Sequence, residues 1–89
     1  MSISNVKLYH GNGIVRLEFS GDPIVIEINY NGDGSLYKHL GRKWIMQSNR
    51  GKIIIFSKTN ATLESGNVIF NYRGEFKPIG CKVFGLDKK

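Results

Sequence analysis

Cysteine, proline and alanine are all scarce in this chain, and each scarcity excludes something. The single cysteine, Cys81, cannot form an internal disulfide, so a fold held by packing in a reducing compartment is expected. Alanine occurs once, at Ala61, and a sequence so poor in the best helix former argues against a helical protein. Two prolines stand against eleven glycines, which points to many tight turns. No apolar run approaches the ~18–20 residues that a membrane-spanning helix needs, so no membrane partner is expected. The opening Met1-Ser-Ile-Ser-Asn-Val-Lys7 lacks a charged stretch followed by an apolar one, so no secretory signal is read there. Without such a signal the triplet Asn60-Ala-Thr62 carries no glycosylation meaning.

Catalytic signatures are missing too. His10, His39 and Cys81 lie far apart in no ligand motif, so no metal is expected. His10, beside a Gly-Asn-Gly turn, reads as a polar turn-flanking residue. Cys81, on one face with Ile79 and Val83, reads as a small buried hydrophobe with no activating base beside it. Glu18, Glu27, Glu64 and Glu75 occupy alternating polar positions as ordinary outward-facing residues. Gly11-Asn-Gly13 and Gly32-Asp-Gly34 look like fragments of phosphate loops, but neither lies between a strand and a helix, and both read as turns. The expectation is a protein that is not an enzyme, with no catalytic residue, cofactor or small-molecule substrate.

What is present is period-two alternation. Val6 and Leu8 oppose Lys7 and Tyr9; Val15, Leu17 and Phe19 oppose Arg16 and Glu18; Ile24, Ile26, Ile28 and Tyr30 oppose Val25, Glu27 and Asn29. A short strand is expected over Leu36 to His39, another over Lys43 to Ser48, and then a three-residue loop, Asn49-Arg50-Gly51. Lys52 to Lys58 is apolar on both sides, Ile53 and Ile55 against Ile54 and Phe56, which predicts a central strand covered on both faces. Residues 59–66 are the longest irregular stretch, with room for one helical turn around Thr62-Leu63-Glu64. Val68 to Arg73 alternates again, and Pro78 and Gly80 place a bulge or an edge in the last strand. Residues 1–89 thus read as one all-β domain: a small antiparallel β-sandwich or barrel of seven or eight short strands. Its expected core is Leu17, Phe19, Ile26, Ile28, Trp44, Met46, Ile53, Ile55, Phe70 and Val83.

Charge is unevenly spread. The net charge is +6, yet residues 1–34 carry −2, residues 35–58 carry +6 and residues 59–89 carry +2. The middle stretch holds Lys38, Arg42, Lys43, Arg50, Lys52 and Lys58 with no carboxylate, and with them Tyr37 and the only tryptophan, Trp44. These six cations and Tyr37 are the candidate residues for binding an anion or a partner. Interleaved rings and cations on a strand surface would also suit a nucleic acid, with an OB-like barrel as host and residues 38–58 as the contact face. Trp44 and Phe56 themselves read as core, which leaves Tyr37 and Tyr9 as the better exposed rings.

The segments Asn5-Val-Lys-Leu-Tyr-His-Gly-Asn12 and Val68-Ile-Phe-Asn-Tyr-Arg-Gly-Glu-Phe-Lys-Pro-Ile79 resemble those of small β-rich decoration, tail and baseplate proteins of tailed bacteriophages. The resemblance implies a non-catalytic structural protein, used in many copies in the virion or made in the cytoplasm of a bacterial host. Such a protein would contact other proteins through strand edges and the basic middle hairpin, as a homo-oligomer or within a virion assembly. A nucleic-acid-binding module is the alternative.

Overall fold

The computed structural model describes residues 6–59 and 63–85, and over these it is built from strands and turns alone. The strands are β1 (Lys7–Gly11), β2 (Ile14–Glu18), β3 (Pro23–Asn31), β4 (Ser35–Lys38), β5 (Trp44–Asn49), β6 (Lys52–Ser57), β7 (Val68–Arg73) and β8 (Lys77–Gly85). They form two four-stranded antiparallel sheets. Sheet I has the order β1-β2-β7-β4 and sheet II the order β5-β6-β3-β8. The two sheets pack as a sandwich. Among the described residues no ladder joins one sheet to the other, so the barrel alternative is set aside.

Two connections are tight hairpins within a sheet. Gly11 faces Ile14 across Asn12 and Gly13, and Asn49 faces Lys52 across Arg50 and Gly51. All four central residues have positive φ, as a type I′ turn demands. The second hairpin therefore has a two-residue loop where three residues were expected. Arg50 takes the left-handed conformation at φ 43°, a position that ordinarily goes to Asn, Asp or Gly. Every other connection carries the chain from one sheet to the other. Two of these crossovers meet, as the Gly34 N–H donates to the Glu75 carbonyl at 2.8 Å. A Cβ on Gly32 would stand 2.4 Å from that same carbonyl oxygen, so this junction requires glycine.

The inner faces follow the alternation. Val15 and Leu17 on β2, Ile26 and Ile28 on β3, Ile53 and Ile55 on β6, with Trp44, Phe70 and Val83, are buried between the sheets. Phe19 and Met46, expected in the core, are only partly buried at its margin. Three core residues escape the pattern. Ile69 is buried beside its neighbour Phe70 because the register of β2 against β7 shifts between Val15 and Arg16. Such a bulge lets successive residues face the same side. Leu63 is buried from the irregular stretch; Leu63 and Glu64 are not helical, and Thr62 lies outside the described residues. Phe76 sits 5.1–6.1 Å, centroid to centroid, from the rings of His10, Tyr30, Phe70 and Tyr72, and closes one end of the sandwich.

β6 is interior to its sheet as expected, but only one of its faces is covered. Ile53 and Ile55 are fully buried, whereas Ile54 and Phe56 point away from the core onto the outer face of sheet II. β8 is an edge strand. Its register slips opposite Asn29 and Tyr30, where Ile79 is exposed beside Pro78 and Gly80.

Candidate functional site

The six middle cations do not share one face. The Lys38 Nζ donates to the Trp44 carbonyl at 2.8 Å and the Gly41 carbonyl at 3.4 Å. Its Cα partner is the buried Phe70, so the stem covers the rim of the core while the ammonium serves backbone oxygens. The Lys52 Nζ lies 3.1 Å from a Glu27 carboxylate oxygen on the outer face of sheet II. Arg50 occupies the tip of the β5–β6 hairpin. Lys43 and Lys58 lie at the far end of that hairpin, where the Lys58 N–H donates to the Lys43 carbonyl at 2.8 Å, and Arg42 adjoins them. Six-residue strands separate the two ends by about 20 Å. The structure therefore gathers Lys38, Arg42, Lys43 and Lys58 at one end of the hairpin and leaves Arg50 and Lys52 at the other. Tyr37 is exposed on the outer face of sheet I, on a different sheet from the hairpin.

What the ladders do assemble are two unlike outer faces. On sheet II, Ile45 pairs with Phe56, Phe56 with Val25 and Val25 with Phe84. Side chains at matched positions share a face, so these four form one apolar row across all four strands. Phe84 is 38% exposed, and Ile54, in the next row, is 36% exposed. Beside Ile54 that row holds Gln47, Glu27 and Lys82. The Glu27–Lys52 ion pair thus borders the apolar strip.

On sheet I, Tyr9 pairs with Arg16 and Arg16 with Val68. The His39 N–H donates to the Ile69 carbonyl at 3.4 Å and prolongs β4 alongside β7. Two shallow concavities cross this face. One is lined by residues including Tyr9, Ile14, Arg16 and Glu18, the other by Arg16, His39, Gly41, Asn67 and Val68, and they meet at Arg16 and Gly66. The Tyr9 hydroxyl donates to the Glu18 carboxylate at 3.3 Å.

Cys81 is half-buried against the core, and burial raises its thiol to about 11, which keeps it protonated and a poor nucleophile at neutral pH. Among the described residues, no three of His, Cys, Asp and Glu gather as metal ligands. No helix there is long and apolar enough to cross a membrane.

Sequence reasoning missed both outer faces, since neither is contiguous in the chain. The local signals were Ile54 and Phe56, two apolar residues too many for a strand with a wet side, and Tyr9 and Tyr37, expected as exposed rings and found 47% and 51% exposed. No known protein family, curated protein or solved structure matches the chain.

Proposed function

We propose that this protein is a non-catalytic structural module that assembles with copies of itself through the outer face of sheet II. The observation that carries the reading is the apolar row Ile45-Phe56-Val25-Phe84. An antiparallel sheet with one side in water ordinarily shows polar residues there. Here the alternation fails at matched positions on all four strands at once, and covering such a strip removes apolar surface from water.

The strip is suited to a second copy. A two-fold axis along the strands between β6 and β3 sets Phe84 of one copy against Ile45 of the other, and Phe56 against Val25. Each ring then meets an aliphatic side chain, the self-complementarity that an isologous contact requires. Two sheets packed face to face in this way keep their strands within about 30° of each other. A virion component present in many copies, the setting implied by the phage resemblance, would use such a contact repeatedly. The protonated Cys81 thiol and the dispersed carboxylates favour a non-catalytic role.

Light scattering across a concentration series tests the proposal. The expected outcome is a concentration-dependent dimer that Phe84→Glu converts to a monomer with an unchanged circular dichroism spectrum. A wild-type protein that stays monomeric at high concentration, or a dimer indifferent to Phe84→Glu, overturns it.

A further inference from the structure

We infer that the outer face of sheet I is a second binding surface, a short stacking track for single-stranded nucleic acid centred on Arg16. This inference is independent of the assembly reading, because it concerns the opposite side of the sandwich.

The track is built by register. Tyr9, Arg16 and Val68 are matched across β1, β2 and β7, and His39 continues the line where β4 runs on beside Ile69. Four adjacent strands place Tyr9 about 14 Å from His39, a span of a few nucleotides. Tyr37 stands two residues from His39 on the same face. Tyr9 and Tyr37 are 47% and 51% exposed, more than any described phenylalanine, tryptophan or other tyrosine, and both belong to this one face. A ring half open to water, carried on a strand rather than on a loop, offers a fixed plane to a base.

Arg16 supplies the charge. It is exposed where the two concavities meet, and its side chain makes no ion pair or hydrogen bond among the described residues. The β-bulge opposite it interrupts the β2–β7 ladder and opens the surface beside its stem. Among the described residues, Glu18 is the one carboxylate lining the two concavities. It accepts the Tyr9 hydroxyl, which steadies the ring, and stands opposite Lys7 in the β1–β2 register. At the His39 end the second concavity reaches Gly41, which Arg42 and Lys43 follow in the chain. Rings at both ends with a free guanidinium between them suit a ligand that alternates flat bases with phosphates. Stacking tolerates any base, so the track has no means of reading sequence.

Fluorescence anisotropy of a labelled oligothymidylate, measured over a salt series, tests the inference. Tyr9→Ala and Tyr37→Ala are each expected to weaken binding roughly 5- to 150-fold, the range for losing one stacked base. Arg16→Ala is expected to weaken it and to lower the slope of log K against log salt by about 0.7. Lys77→Ala, which removes one charge from sheet II, should leave both quantities unchanged. All four side chains are exposed, and circular dichroism confirms that each variant is folded. The inference is overturned by undetectable binding at physiological salt, or by losses no larger than that of Lys77→Ala. It is equally overturned if an acidic oligosaccharide binds more tightly than the oligothymidylate and loses affinity in the same variants, since the track would then be a glycan site.

Discussion

The outer faces of the two sheets differ more than their inner faces do. Inside, both sheets present mainly aliphatic side chains at alternate positions, with Phe70 added on sheet I and Trp44 on sheet II. Outside, sheet II carries an apolar row with a bordering ion pair, while sheet I carries exposed tyrosines, an arginine whose side chain has no partner among the described residues, and open concavities. Packing dictates the inner residues and leaves the outer ones free, so the contrast between the outer faces is where this chain's use is recorded. Neither face needs the other, and each can be broken separately.

Adjacent residues of β6 give the sharpest break. Ile55 is fully buried, and Ile55→Ala is expected to lower unfolding stability by about 2–5 kcal/mol through lost burial and a cavity. Ile54, one residue earlier on the other side, is 36% exposed and should cost less than Ile55, about 1 kcal/mol, when changed to Ala. Urea unfolding of the dilute protein measures both. Ile54→Ala should instead weaken self-association, so the two variants separate folding from assembly. Equal stability losses would mean that the outer face is packed even in the monomer.

The same comparison shows how far the sequence could be read. Alternation in Val15-Arg16-Leu17, Ile26-Glu27-Ile28 and Ile53-Ile54-Ile55 marks inner and outer positions, because period two is a local property of an extended chain. Ile69 defeats that logic, since a bulge set by pairing with distant β2 turns it inward beside Phe70. Phe76 gives no periodic signal and is placed by four rings from three other strands. The partition into two sheets depends on β2 meeting β7 rather than β3, a long-range pairing that no local pattern encodes. The charged middle stretch misled for a related reason. Residues 35–58 span both sheets and both ends of the sandwich, so cations close in sequence such as Lys43 and Arg50 lie at opposite ends of the β5–β6 hairpin.

Cys81 tests how dry the inner side is at its rim. It lies on edge strand β8, opposite the buried Ile28, and burial raises its thiol from 9.0 to about 11. The folded protein therefore holds this proton more tightly than the unfolded chain does. The corresponding stability is fully present below pH 9 and is lost as pH rises towards 11. Stability followed across that window by urea midpoint should decline, and Cys81→Ala should flatten the part of the decline due to this thiol. An unchanged profile in Cys81→Ala would place the thiol in water and the rim of the core further inward than Cys81.

The smallest effect sits at the border of the apolar row. Glu27 and Lys52 form an ion pair at 3.1 Å, with the lysine side chain half exposed and the carboxylate more covered. In the monomer this is a surface pair, so a double-mutant cycle with Glu27→Gln and Lys52→Gln should yield a coupling of about 0.2–1 kcal/mol. Added salt should diminish it, because the charges face solvent. If the proposed dimer forms at high concentration, its two-fold arrangement would set Glu27 against Ile54 of the second copy and remove water from the pair. Coupling should then rise and lose its salt dependence, since a covered charge pair is screened less. A coupling that stays small and salt-sensitive at every concentration would leave the strip uncovered, whatever mass light scattering returned, and any dimer would have to form through another surface.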